Sequence, residues 1–165
     1  MSLAVNWPWT GAGEDPVRFL DDVYRYARTR LESREDAEDL AIEVVQALPA
    51  PCRRKDLRVY MIGIARRKLA DRLRRSRPTV ELREGDVVGR FDESSDHSTM
   101  VEAVLAKVSE DQREALTMKY VIGMSSHEIA AVLGRSSTAV DSLLQRGREA
   151  FAGEWNLLTR EEVQR

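Results

Sequence analysis

The chain has 165 residues, of which 42% are hydrophobic, 33% charged and 6% aromatic, a composition that excludes a disordered tail and a membrane protein. Its longest apolar run, residues 59–65, is far shorter than the ~18–20 residues that span a bilayer, and its first residues lack the pattern of a secretory signal. One cysteine and two histidines exclude an internal disulfide and the usual structural zinc site. We therefore expect a cytoplasmic protein with no membrane insertion, no bound metal and no other cofactor.

The net charge of −2 is the sum of three consecutive blocks whose net charges alternate, negative, positive and negative. Residues 1–50 carry five basic and ten acidic side chains, residues 51–90 carry thirteen and five, and residues 91–165 carry eight and thirteen. Such asymmetry indicates an acidic face for one partner and a basic face for another. The basic block favours nucleic acid as the second partner, although Arg-rich helices are often simply solvated.

Two amphipathic helices are predicted in the first block. The first begins at Asp15, an N-cap that is followed by Pro16 at the first helical position. The second begins at Ser33, with Asp36 three residues later in a pattern similar to a capping box. Pro49 ends this second helix.

A third, longer helix is predicted from Asp56 to about Ser76, where Pro78 stops it. It combines an apolar stripe with a surface rich in arginine. The stripe consists of Leu57, Met61, Ala65, Leu69 and Leu73, joined by Tyr60 and Ile64. Residues 77–98 then break the periodicity and collect Gly, Ser and acidic residues, which predicts a flexible linker.

Helical spacing resumes at Met100 and predicts four further helices. Serines lie at three of their starts, two of them as caps and the third near the start of the last helix, and glycines mark two of their ends. These residues are Ser109, Ser125 and Ser137 at the starts, and Gly123 and Gly134 at the ends. No segment shows convincing strand alternation, so we expect an all-α protein.

Residues 125–148 have the pattern of a helix-turn-helix. Ala130 is small enough for two helices to approach, Gly134 suits a left-handed turn, and Val140 would lock the second helix onto the first. In such units the N-terminal end of the second helix enters the major groove of DNA. The side chains that we expect to contact DNA there are Arg135, Ser136, Ser137, Thr138, Ser142, Gln145 and Arg146. An ordinary helical hairpin with a glycine turn is the alternative.

Three blocks of this sequence, together about two thirds of the chain, resemble the extracytoplasmic-function (ECF) sigma factors of bacterial RNA polymerase. The matching segments are SREDAEDL at 33–40, IAR at 64–66, DRLRR at 71–75, QREAL at 112–116, EIA at 128–130 and LG at 133–134. The resemblance implies two small helical domains joined by a flexible linker. We expect a region 2-like domain at 14–77, a linker at 78–98 and a region 4-like helix-turn-helix domain at 99–153. Domains this small bury only ~60% of their unfolded surface, so each would be marginal alone.

The resemblance also implies the partners, which are the polymerase core and promoter DNA. Asp36, Asp39 and Glu43 share one face of the second helix and would contact the basic surface of the polymerase. The basic third helix and the loop before it would hold the opened minus-ten element, and the helix-turn-helix would read the minus-35 element. The DNA-binding residues implied in this first domain are Arg54, Lys55, Arg66, Arg67, Arg72, Arg74 and Arg75.

Four residues depart from the pattern of the family. Tyr60 stands where Trp is usual and Arg67 where Asn is common; we expect Tyr60 in the core, with stacking on an extruded base as the alternative. Asp141 and Leu143 replace positions that are often basic in the recognition helix. These two changes predict weak readout of the minus-35 element, because a carboxylate repels phosphate.

Two other functions remain open from the sequence. One is a sigma-like decoy that binds an anti-sigma factor or the polymerase without opening a promoter, and the other is a stand-alone helix-turn-helix repressor. The intact arginine cluster disfavours the decoy, and the acidic second helix is unexplained in the repressor. We do not expect an enzyme, because no nucleophile–base arrangement, phosphate-binding glycine loop or metal cluster is visible.

Overall fold

The computed structural model describes residues 14–49, 55–76 and 96–163, and every regular element in these ranges is a helix. The predicted all-α class is therefore confirmed. The α-helices of these ranges are α1 (Leu20–Arg28), α2 (Arg34–Gln46), α3 (Leu57–Ser76), α4 (Asp96–Lys107), α5 (Glu110–Leu116), α6 (Ser126–Leu133) and α7 (Ser137–Val163). In this part of the chain no helix is both long and apolar enough to cross a bilayer.

The predicted caps Asp15 and Ser33 are both present. The Asp15 carboxylate accepts the N–H of Val17, but the turn that follows, Pro16–Phe19, is a 3-10 helix and α1 begins only at Leu20. The Ser33 hydroxyl accepts the N–H of Asp36 at 3.2 Å at the start of α2. Each bond satisfies a backbone donor that a helix start would otherwise leave unpaired.

Helices α1, α2 and α3 pack on one another through their apolar stripes. On α3 the predicted stripe is buried, except that Leu73 and Tyr60 are only partly covered and lie at the edge of the core. The fully buried large side chains of these three helices are Val23, Tyr26, Leu40, Val44, Leu57, Met61 and Ile62.

In the second half, α4 and α5 depart from the predicted bounds. Helix α4 begins at Asp96, four residues before the predicted start and inside the predicted linker. Helix α5 ends at Leu116 and passes into a π-helical segment, Thr117–Val121, instead of running unbroken to Gly123. The Ile122 N–H donates to the Thr117 carbonyl at 3.2 Å across this wider turn.

The helix-turn-helix forms as predicted from α6 and α7. Ser125 and Glu128 make a reciprocal capping box at the start of α6, and Gly134 ends the helix with a left-handed φ of 64°. Ala130 and Val140 are buried where the two helices approach. Helix α7 then continues ten residues beyond the predicted domain end and packs on α4.

The two halves of the chain pack against each other. Helix α3 contacts α6, and α1 contacts the π-helical segment. Buried residues from α1–α3 and from α5–α7 belong to one hydrophobic cluster. Residues 14–76 and 96–163 therefore share a closely packed interface.

Candidate nucleic-acid interface

The arginines of α3 differ in how far they are exposed to solvent. Arg67, Arg74 and Arg75 are exposed, and the Arg74 side chain retains 75% of its exposure while pairing with Asp71 one turn away. Arg66 and Arg72 are more enclosed, with side chains 41% and 27% exposed. Of the other predicted DNA contacts of this half, Lys55 is exposed and Arg54 lies outside the described residues.

Arg66 is held by a carboxylate from the other half of the chain. Its Nε donates to Glu114 Oε1 on α5 at 2.7 Å, and the Tyr26 hydroxyl donates to the same oxygen at 2.8 Å. The hydrogen bond that Arg66 donates to Glu114 raises the pKa of Arg66. Burial, and then the charge of Glu114, strongly raise the pKa of Tyr26, so its hydroxyl stays protonated as a donor.

Arg72 and Glu43, predicted to serve different partners, pair with each other. The Arg72 guanidinium bonds to the Glu43 carboxylate and to the Asp36 carbonyl, and Lys68 reaches Glu43 at 3.4 Å. Partial burial alone would raise the pKa of Glu43, but the hydrogen bonds and charges of Arg72 and Lys68 outweigh it and lower the pKa. Glu43 is therefore engaged by two basic residues of α3, while its side chain remains 42% exposed.

The remaining acidic face of α2 is open to solvent. Asp36 and Asp39 are exposed, and beside them lies Ile42, an isoleucine that is 52% exposed. Sequence reasoning missed Ile42, although the signal was present, since this apolar residue falls outside the buried stripe of its helix. An exposed apolar side chain among carboxylates is typical of a protein-binding surface with a polar rim.

A groove of about 610 Å³ runs between α3 and α6. Lys55, Tyr60, Arg66 and Arg67 line one wall, and residues 131–134 line the other. Tyr60 thus lies at the edge of the core and lines this groove. Within the described ranges, no group of His, Cys, Asp and Glu is arranged to hold a metal ion.

The predicted readout residues lie on the accessible side of the helix-turn-helix. Five of them are exposed, Ser137 is partly covered, and Ser136 is exposed while its hydroxyl caps α7 by accepting the Ala139 N–H. Arg135 pairs with Asp111 on α5. Asp141 is exposed, but Leu143 is only 4% exposed. The interpretation of Leu143 as a lost basic contact is therefore wrong, because this side chain belongs to the core.

Comparison with known proteins agrees with this architecture. The family model for Sigma-70 region 2 matches residues 17–79, and the model for Sigma-70 region 4 matches residues 98–151. The chain is therefore a protein of the sigma-70 class, with both regions in their usual order.

Two curated relatives show to which family within the sigma-70 class the chain belongs. The ECF RNA polymerase sigma factor SigC of Mycobacterium tuberculosis is 31% identical over 147 residues, covering 81% of this chain and 77% of SigC. The ECF RNA polymerase sigma factor BldN of Streptomyces coelicolor is 27% identical over 150 residues, covering 82% of this chain but only 56% of BldN. The chain belongs to the ECF sigma factor family.

Solved structures share the fold. CnrH, in complex with the cytosolic domain of CnrY, superposes with a TM-score of 0.63 at 22% identity, covering 86% of this chain and 84% of that chain. RpoE of Bartonella quintana, in complex with the anti-sigma factor NepR, gives a TM-score of 0.62 at 18% identity, covering 85% and 93%.

Proposed function

We propose that this chain directs the bacterial RNA polymerase core to specific promoters and initiates transcription by binding and opening promoter DNA. One observation carries the proposal: a single chain joins an exposed acidic face, an arginine-rich helix and a helix-turn-helix in the order of regions 2 and 4. The relatives named as RNA polymerase sigma factors support it.

The site residues divide between the two partners. Asp36 and Asp39 contact the polymerase, with Ile42 as the apolar centre of that contact. Glu43 supports this face by anchoring α2 to α3. The proposed DNA contacts are those predicted from the sequence, with the exposed Arg67, Arg74 and Arg75 as the most accessible members on α3.

The domain roles follow the predicted boundaries. Residues 14–77 form the polymerase and minus-ten domain, residues 99–153 form the minus-35 domain, and residues 78–98 connect them. The chain supplies DNA recognition in the cytoplasm and no catalysis of its own, and an anti-sigma factor is a further partner that we expect. A decoy would not need exposed arginines on α3, and a stand-alone repressor would not need an exposed acidic face on α2. Both alternatives are therefore less well supported.

Reconstituted transcription tests this proposal. Bacterial core polymerase, supplemented with the chain, is expected to produce run-off transcripts from the DNA upstream of its own gene. Asp39→Lys should weaken binding to the core by on the order of 1–3 kcal/mol through charge repulsion. Asp21→Lys, the same reversal on the exposed face of α1, is the matched control and should leave core binding unchanged. Core binding without any transcript would favour the decoy, and tight operator binding without core would favour the repressor.

A further inference from the structure

The first two turns of α7, the second helix of the helix-turn-helix, carry a single charged side chain, Asp141. Residues 137–144 are otherwise small, hydroxyl-bearing or apolar, and no Lys or Arg occurs among them. In helix-turn-helix proteins the N-terminal part of this helix contacts base edges in the major groove. The commonest specific contact, from Arg or Lys to O6 and N7 of guanine, is therefore not available from these two turns.

Asp141 lies on the exposed side of α7. The buried side chains of this stretch are Val140, Leu143 and Leu144. They hold one side of the helix against the core, and with 3.6 residues per turn the other side faces solvent. Thr138, Asp141 and Ser142 are exposed there. The Asp141 carboxylate is thus accessible on the side of the helix that a DNA groove would meet.

Asp141 differs from its polar neighbours in having no side-chain partner within the described part of the chain. The Ser142 hydroxyl donates to the Thr138 carbonyl at 3.0 Å, and the Gln145 amide donates to Glu149 at 3.1 Å. Both of these side chains already use a donor within the helix. The Asp141 carboxylate keeps both oxygens available as acceptors for an outside donor.

The base edges of the major groove differ in what they offer to a carboxylate. An ionised Asp accepts hydrogen bonds and donates none. Guanine presents two acceptors, and thymine presents an acceptor beside a methyl group, so neither base supplies a donor. Adenine presents its amino group next to the N7 acceptor, whereas cytosine presents the N4 amino group alone. Cytosine is therefore the base that suits Asp141 best.

We propose that Asp141 makes this chain select a cytosine in its minus-35 element, at the base pair that the second turn of α7 meets. The proposal rests on the proposed function and names a base that the same site requires. Arg135 before the helix and Arg146 after these two turns are exposed and would contact phosphates on either side. The acidic residue that was predicted to weaken the readout thus changes which base is read.

Selection from duplex DNA of random sequence tests this assignment. Core polymerase carrying the full chain is incubated with duplexes long enough to contain both promoter elements, and the bound molecules are sequenced after several rounds. Affinities are then measured for all four bases at the selected position. The variants compared with the wild type are Asp141→Asn, Asp141→Ala and Glu154→Gln. Glu154 pairs with Lys107 near the other end of α7, so Glu154→Gln removes the same charge from the same helix and is the matched control.

We expect the wild type to prefer cytosine at one position of the minus-35 element by about tenfold, the scale of one mismatched base pair. Asp141→Asn should transfer this preference to adenine, because an amide both accepts from N6 and donates to N7. Asp141→Ala should lose the preference at this position and keep those at other positions. Glu154→Gln should keep the cytosine preference of the wild type.

A carboxylate that only repels DNA gives a different result. Asp141→Asn and Asp141→Ala would then bind every duplex more tightly by the same factor with unchanged base preferences, and Asp141 would not determine specificity. Selection of no cytosine by a wild type that transcribes the selected duplexes would also overturn the assignment, while leaving the proposed function intact. Failure of the wild-type holoenzyme to produce run-off transcripts from any selected duplex would instead refute the proposed function.

Discussion

Glu43 illustrates how the sequence can place a residue on one face of a helix without showing which residues of a neighbouring helix it pairs with. Its spacing from Asp36 and Asp39 puts all three on one side of α2, which the sequence alone predicts. Its carboxylate nevertheless bonds to Arg72 and Lys68, because α3 packs beside that end of the helix. Spacing along one helix does not determine which side chains meet a neighbouring helix.

The Glu43 pairing predicts a pH-dependent contribution to stability. Because folding lowers the pKa of this carboxyl, its stabilisation is present above the ordinary pKa of Glu and is lost as the pH falls through the lowered value. Glu43→Gln should therefore cost about 0.5 kcal/mol at pH 7, the scale of a half-exposed ion pair, and almost nothing near pH 3. Urea unfolding at both pH values measures this.

The exposed Arg34–Glu38 pair on the same helix supplies the control. Glu38→Gln should change the unfolding free energy little at pH 7, since a fully solvated surface pair contributes little. An equal loss for Glu43→Gln at pH 7 and pH 3 would mean that the charge of Glu43 contributes nothing to the fold.

At the scale of the element, helix starts and turns were predictable and helix continuations were not. Ser33, Ser109, Ser125 and Gly134 act through hydrogen bonds or a dihedral angle within a few residues, so their roles are readable locally. The π-helical turn after α5 is different. It lies where this part of the chain packs against α1, and such tertiary packing leaves no local pattern.

The capping box of α6 predicts a measurable loss of stability. Ser125→Ala removes the hydroxyl that accepts the Glu128 N–H and should cost about 1 kcal/mol. Thermal unfolding followed by circular dichroism measures the change, with Ser126→Ala, at the next position, as the matched control. Equal unfolding temperatures for the two variants would contradict a stabilising role for the cap.

The arginines near the C-terminal end of α3 should contribute unequally to DNA binding. Arg74 and Arg75 are exposed, whereas Arg72 is engaged by Glu43 and Asp36. Replacing Arg74 and Arg75 with Ala should lower the salt dependence of promoter binding by the holoenzyme by a slope of about 1.4–1.8, the value for two phosphate contacts. Arg72→Ala should lower the slope less and destabilise the fold.

A salt titration of promoter affinity distinguishes these arginines. An unchanged slope in the double variant would remove Arg74 and Arg75 from the DNA interface. A larger effect from Arg72→Ala than from the double variant would mean that the Glu43 pair opens when DNA binds.

At the scale of the whole molecule, the sequence predicted the family and both sets of helices but not their mutual packing. The charge blocks predicted an acidic and a basic face for outside partners. The structure instead pairs part of one with part of the other, since Glu110 and Glu114 of the acidic second half meet Arg30 and Arg66 of the first. Such long-range pairing depends on how the halves dock, for which no motif exists in the sequence.

This packing predicts that the chain unfolds as one cooperative unit. Each half is small enough to be marginal alone, and buried residues of both belong to one hydrophobic cluster. In a full chain with Trp7→Phe and Trp9→Phe, the fluorescence of Trp155 reports the second half, while circular dichroism reports helices of both. We expect the two urea transitions to coincide.

Adding Glu114→Gln should separate the two transitions, because each half must then unfold with less support from the other. Adding Glu154→Gln should leave them coincident. Separate transitions already in the parent chain would show that the shared core does not couple the two halves.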